Sequence, residues 1–266
     1  MTTGHDVFQY LNLFAPVATQ MDFDNSGFLV GDCSKPIERV LVSLDITEDV
    51  VREAQELKAD LIVSHHPLIF HKLSAVCEND PTQRKIMMLI RSGISAVCMH
   101  TNLDVAYGGV NDALMTAIGA RSEMILEPTG TDADGRMFGC GRIGYLSRKM
   151  PLEAFLPYLT ERLNVSGIRY VSSGKPVFKI AVCGGSGGEF LEAAHQAGCD
   201  SFITAEVKYD RFLTAKELGM NLFDADHFCT ENVVIPKLSA MLRSHFPELD
   251  VTVSRLKQTT QFYAAR

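Results

Sequence analysis

Short apolar runs alternate with helix-like stretches along almost the whole chain, and that alternation excludes most architectures. "IERVLVSLDI" (37–46), "DLIVS" (60–64) and "ISAVCMH" (94–100) read as strands. "EDVVREAQELKA", "PTQRKIMMLIRSG" and "GVNDALMTAIGA" read as helices beside them. Thr47 is placed to cap the first of these, with Glu48 and Asp49 in its first turn, and Gly93 lies just past the end of the second. After residue 150 the pattern resumes: a helix in "PLEAFLPYLTERLN", then "VFKIAVCGG", "DSFITAE", "NLFDADH" and "DVTVSRL" as strands, with helices between. One of these, "TENVVIPKLSAMLRSHF", carries a proline at 236 where a kink is expected. Strict alternation of this kind predicts an α/β protein with mainly parallel or mixed sheets flanked by helices. "EPTGTDADGRMFGCGRIGYLS" (127–147), dense in Gly, Asp, Thr and Pro, reads as a linker or an irregular hairpin. Two α/β lobes are therefore expected, 1–127 and 128–266, with the last strand free to return to either sheet.

The 266 residues suffice to bury a sizeable core. A formal net charge of −7 argues against a general nucleic-acid surface. No apolar run approaches the roughly 20 residues a membrane span needs, and "MTTGHDVFQYLNLFAP" has no basic or apolar region of the kind a signal peptide carries. The seven cysteines stand singly, with no C-x-x-C pair, as expected of reduced thiols in a cytoplasmic protein and not of a thiolate zinc site.

The polar residues fall in a pattern that the strand order explains. Ligands of parallel sheets collect at the carboxyl ends of strands. Asp45 ends the first strand, Ser64-His65-His66 the second, and "HTNLD" (100–104) follows the third. In the second lobe, Asp224, Asp226 and His227 end "NLFDADH". Side chains alternate along extended chain, so His65 and His66 are expected to point apart and serve two different ions. Pro67 restrains His66 to extended geometry. His227 and Glu231 are four apart and share a face if a helix begins at His227. A carboxylate such as Glu231 has two oxygens and can bridge two ions, and Asp104 can complete the shell of the first. Nitrogen and oxygen donors without sulfur favour Zn, Mn, Fe, Co or Ni.

Each of these signals is common on its own. Adjacent histidines are often one core and one surface residue, Asn and Asp after a strand often close a turn, and H-x-x-x-E is frequent on solvated helices. "GGSGG" (184–188) fits neither phosphate-binding motif and reads equally as a tight turn of close backbone approach or as an anion-binding loop. Glu206 reads evenly as site carboxylate or surface charge. His195, His5, His71 and His245 carry no supporting context.

Taken together, "DNSGFLVGD" (24–32), "SHHPLIF", "HTNLDVAYGGVND", "GCGRIG", "AVCGGSGG" and "DADHFCTE" resemble, in order and spacing, the Ngg-interacting-factor-three-like proteins, also labelled GTP cyclohydrolase I type 2 homologues. The resemblance covers nearly the whole chain. It implies two α/β lobes with a dinuclear metal site between them, two divalent ions per chain, and a homohexamer built as a ring of dimers. It carries the metal ligands onto His65, His66, Asp104, His227 and Glu231. It places His100 close to the site, as an outer or substrate-facing group. Tyr107, Glu206 and Lys208 are candidates for contacting a small-molecule substrate. One departure stands at Asp210, where the family often has histidine, which puts a histidine proton relay there in doubt. Two ions about 3.5–4 Å apart can activate water near neutral pH, and the label implies attack of metal-bound hydroxide on the guanine ring of GTP. A hydrolase of phosphoesters or cyclic amides would need the same ligands. The competing class is a non-catalytic metal-binding ring that acts as a scaffold or regulatory partner.

Overall fold

The structure is a computed structural model that describes residues 1–132 and 135–257. The chain divides into two units. Met1–Ala106 groups with Ile235–Lys257, and Tyr107–Val234 forms the core of the other. The expected boundary at 127/128 instead falls inside a strand.

The first unit opens with α1 (Gly4–Phe14), capped by Thr3, whose side chain accepts from the Asp6 amide while Asp6 reaches back to the Thr3 amide. Its sheet runs in the order β1 (Gly27–Val30), β4 (Ser95–Cys98), β3 (Leu61–Ser64), β2 (Arg39–Ser43), β11 (Asp250–Val253). Only β1 is antiparallel to its neighbour. The connecting helices are α2 (Glu48–Glu56) and α3 (Pro81–Ser92). Thr47 accepts from Val50 N at 3.2 Å, Asp80 caps α3 from Gln83 N, and Gly93 ends it at φ 65°, so the local start and stop signals act as read. Ile62, Leu41, Val51, Leu89 and Ala96 pack the core against these helices. The last strand joins this sheet: β11 pairs with β2 in parallel, and buried Glu53 of α2 accepts from Ser254 Oγ at 2.5 Å and from Arg255 N at 3.2 Å.

Strand register sets where the polar residues emerge. Ser43 pairs with Ser64 and Ser64 with Cys98. Three parallel strands therefore end level, and Asp45, His65-His66 and His100 leave from one edge.

The second unit begins with α5 (Val110–Ala117) and a six-stranded sheet ordered β5 (Ala120–Thr131), β6 (Met137–Met150), β8 (Val177–Ser186), β9 (Ser201–Ala205), β10 (Asn221–Asp224), β7 (Arg169–Val171). Only β8–β9 and β9–β10 are parallel, so this sheet is mixed. One face packs on α5 and α6 (Leu152–Leu163), the other on α7 (Leu191–Gln196) and α8 (Tyr209–Glu217). The glycine-dense stretch at 127–147 is not a linker. It lies largely in the long β5–β6 hairpin, where Gly139 and Gly144 let the strands close up: a Cβ would sit 2.2 Å from Glu127 O and 2.1 Å from Arg121 O respectively. The helix expected to kink at Pro236 is two helices. α9 (His227–Glu231) and a 3-10 turn (Asn232–Val234) precede α10 (Ile235–His245), and Pro236 stands in the first turn of α10, where its missing N–H costs nothing. No helix among the described residues is long and apolar enough to cross a membrane.

Candidate metal centre

The first donor set belongs to the first unit. After Ser64 the backbone bends, with His65 N bonded to Leu44 O at 3.1 Å and His66 N at 2.9 Å. The bend cancels the strict alternation of extended chain. His65 and His66 therefore do not diverge as expected. Their ring centroids are 4.9 Å apart, and one ligand atom from each of His65, His66 and His100 lies within 4.8 Å of the others. Asp104, on the short helix α4 (Thr101–Val105), places Oδ1 3.6 Å from His65 Nε2.

Each imidazole is turned the same way by a different acceptor. His65 Nδ1 donates to Met99 O at 2.8 Å, His66 Nδ1 to Asp45 Oδ1 at 2.7 Å, and His100 Nδ1 to Asp24 Oδ1 at 2.7 Å. With the proton held at Nδ1, Nε2 keeps its lone pair, the arrangement that metal-ligating histidines adopt. Neither Asp24 nor Asp45 was assigned a role from sequence. Asp45 was legible as a strand end, whereas Asp24, 76 residues from His100, was legible only as the first residue of "DNSGFLVGD".

Asp24 is the most heavily bonded of these groups. Its side chain has no exposed surface, and it accepts from Thr101 N at 3.0 Å, Thr101 Oγ1 at 2.5 Å and Asn25 N at 2.7 Å as well as from His100. Burial by itself would raise its pKa. Hydrogen bonds from His100 and Thr101 outweigh burial and hold the carboxyl well below the usual carboxylate range. A depressed folded-state pKa contributes stability above the unfolded value of about 3.9, lost as pH falls toward the lower folded value. Asp24→Asn is accordingly expected to cost about 2 kcal/mol at pH 7 and progressively less below about pH 4. Urea unfolding at pH 7 and pH 3 measures both, and an equal difference at the two pH values would refute the ionic role.

The second donor set belongs to the second unit. α9 begins at His227 itself, so His227 and Glu231 share a face, with Nε2 3.0 Å from Glu231 Oε2. His227 Nδ1 is 3.0 Å from Glu206 Oε1, repeating the carboxylate–imidazole pairing of the first unit. Asp226 caps this helix through Cys229 N at φ 69°, and Glu206 stands at φ 51°. Two non-glycine residues in the left-handed region on either side of one histidine mark a locally strained backbone. Of the two readings of "GGSGG", close backbone approach is the one observed. Gly185, at φ 65°, donates its N–H to Thr230 Oγ1, and a Cβ there would meet Glu231 Oε1 at 2.1 Å and His227 Nε2 at 3.2 Å.

Tyr107 is 59% exposed, with the Arg142 guanidinium 5.5 Å from its ring. Lys208 is exposed at the start of α8. Neither has a hydrogen bond or ion pair to His227 or Glu231 among the described residues. Asp210 faces out, 3.5 Å from Arg211.

Nitrogen and oxygen donors, imidazoles fixed in one tautomer and carboxylates beside them suit divalent ions of the first transition row. These histidine, aspartate and glutamate groups are thus fit to bind metal ions.

The profile of the family described as Duf34/NIF3 (NGG1p interacting factor 3) matches residues 2–261. The chain belongs to the Duf34/NIF3 family. A Clostridium perfringens relative named GTP cyclohydrolase 1 type 2 homolog is 35% identical over 240 residues, covering 90% of both chains. A relative of the same name from Clostridium acetobutylicum is 32% identical over 227 residues, covering 85% and 84%. Among solved structures, a Staphylococcus aureus protein described as hypothetical superposes with a TM-score of 0.92 at 29% identity, covering 98% and 99%. A Bacillus cereus protein described as related to NIF3 does so at 0.91 and 24% identity over 99% and 100%, a likeness of fold. The NIF3 match spans both units and all the histidines and carboxylates described above.

Proposed function

We propose that this NIF3-family chain is a dinuclear divalent-metal protein that hydrolyses a nucleotide or related small molecule. His65, His66 and Asp104 of the first unit and His227 and Glu231 of the second would hold the ions. Bound divalent ions supply Lewis acidity and lower the pKa of coordinated water. The chain's own residues do the rest. Met99 O, Asp45 and Glu206 keep the proton of His65, His66 and His227 at Nδ1 and leave Nε2 as donor. Asp24 does the same for His100, whose Nε2 is then able to accept a proton from, or orient, a substrate group. The reading is carried by this one repeated observation, four imidazoles tied back through Nδ1. The name shared by the curated relatives supports a nucleotide as substrate.

The family's printed description, an interacting factor, favours a second reading: a metal-binding ring that serves as a scaffold. Either reading is proposed to operate as a homohexamer in the cytoplasm. The seven cysteines stand singly in the sequence and five of them are buried, which supports that compartment.

Elemental analysis of purified protein tests the metal claim. About two ions per chain are expected for wild type, and about one fewer for His66→Ala. Glu231→Gln is expected to reduce turnover about tenfold or more with mass and ring size unchanged. Loaded protein that turns over no member of a panel of nucleotides, phosphoesters and cyclic amides would select the scaffold.

A further inference from the structure

β8 and β9 run parallel, but their ladder is interrupted at "GGSGG". Val182 pairs with Ile203 and Ser186 with Ala205, so Cys183, Gly184 and Gly185 stand opposite Thr204 alone. A bulge of this kind takes backbone N–H and C=O groups out of the ladder. Gly185 and Gly187 are buried, so their polar groups need other partners.

The hydroxyl of Thr204, a fully buried residue, supplies two of them. It donates to Gly185 O at 3.0 Å and accepts from Gly187 N at 2.9 Å. A hydroxyl can do both at once. Gly184 N donates to Asn111 Oδ1 at 2.9 Å, and Gly185 N to Thr230 Oγ1 at 3.1 Å. Three amides of the loop are thus bonded to the protein itself and are not presented to an anion. Shape alone does not require threonine at 204. β9 is buried along its whole length, and valine has a similar outline and strand preference.

The bulge lies directly against the second donor set. A Cβ on Gly184 would stand 3.3 Å from Glu231 Cγ, and one on Gly185 2.1 Å from Glu231 Oε1. Two residues after Thr204, Glu206 approaches His227 Nδ1 at 3.0 Å. Thr204 therefore stands where the bulge beneath Glu231 and the strand end that carries Glu206 meet.

We propose that Thr204 is a positioning residue for the second donor set. Its hydroxyl holds the bulge in the one shape that seats Glu231 beside His227. As a determinant of metal affinity this rests on the metal-binding reading above. As a determinant of where the pair stands it rests on the bonds of the bulge alone.

Thr204→Val removes the hydroxyl and keeps the shape, while Thr204→Ser removes a methyl and keeps the hydroxyl. Both are compared with wild type as full-length protein. Amide hydrogen exchange read by mass spectrometry, after removal of metal, follows the segments 183–190 and 226–232. Zinc titration against a chromophoric chelator follows affinity. Thr204→Val is expected to exchange about tenfold or more faster in both segments and to bind zinc about tenfold or more weakly at one site per chain. Thr204→Ser is expected to stay near wild type on both measures, which a role in packing alone would not produce. The proposal is overturned if Thr204→Val exchanges as wild type does in either segment, if Thr204→Ser is as impaired as Thr204→Val, or if zinc affinity is unchanged where wild type binds zinc. Wild type that binds no zinc would remove the metal reading alone, and the exchange measurements would still decide the role of Thr204.

Discussion

Gly185→Ala is expected to destabilise the protein by about 3 kcal/mol and to empty the second donor set of metal. Two costs combine. At φ 65° the backbone is left-handed, which a Cβ makes unfavourable by about 1–2 kcal/mol. The new methyl would also lie 2.1 Å from Glu231 Oε1, and Glu231 is only 4% exposed, so the carboxylate has no solvent to retreat into. Overpacking of this kind costs a further 1–3 kcal/mol or so. Displacing Glu231 also spoils its 3.0 Å approach to His227. Gly174→Ala is the control, because Gly174 stands at φ 77° and a Cβ added there would have nothing within 4 Å. It should lose the backbone cost alone and keep its metal. Urea midpoints and metal content per chain for the two variants give the comparison. If Gly185→Ala and Gly174→Ala behaved alike on both measures, the cradle role of Gly185 would be wrong.

Arg142→Met should cost about 3–5 kcal/mol and lower the melting temperature by about 10 °C. Arg142 is 1% exposed. Its Nη2 lies 3.0 Å and its Nε 3.1 Å from Asp112 Oδ2, and Nη1 donates to Gly139 O at 2.9 Å and Gly141 O at 2.8 Å. One guanidinium thus joins the first turn of α5 to the glycine-rich part of β6. Methionine keeps much of the volume, so the loss reports the charge and the donors more than a cavity. It leaves Asp112 as a largely buried anion and two carbonyls short of a donor, which is where most of the penalty arises. Adding Asp112→Asn to Arg142→Met should therefore recover part of the loss, and the cycle of single and double variants isolates the coupling. A change below about 1 kcal/mol in Arg142→Met would show that water replaces the guanidinium at little cost.

Much of the fold was legible because the signals are local. Thr47, Asp80 with Pro81, and Gly93 start and stop helices through bonds made within a few residues, and they do so in the structure. The donor positions were legible for a related reason. Parallel strands present their carboxyl ends together, so a histidine or carboxylate just past an apolar run is placed at the sheet edge before any partner is known. The long β5–β6 hairpin was only half legible. Glycine there signals close approach of strands rather than a break, and the two meanings have one composition. The convergence of His65 and His66 was misread because alternation holds only while the chain stays extended, and it bends at His65.

The sequence by itself determined the element types, their order and the residue types available as donors, since these depend on periodicity and on hydrogen bonds a few residues long. Only the tertiary structure decided that Asp24 reaches His100 across 76 residues and that Glu206 meets His227. It also decided that β11 returns to β2 and that Gly185 lies under Glu231. Those contacts arise from strand register and packing between distant segments, where each partner satisfies a polar group or fills a space that no local stretch of sequence defines.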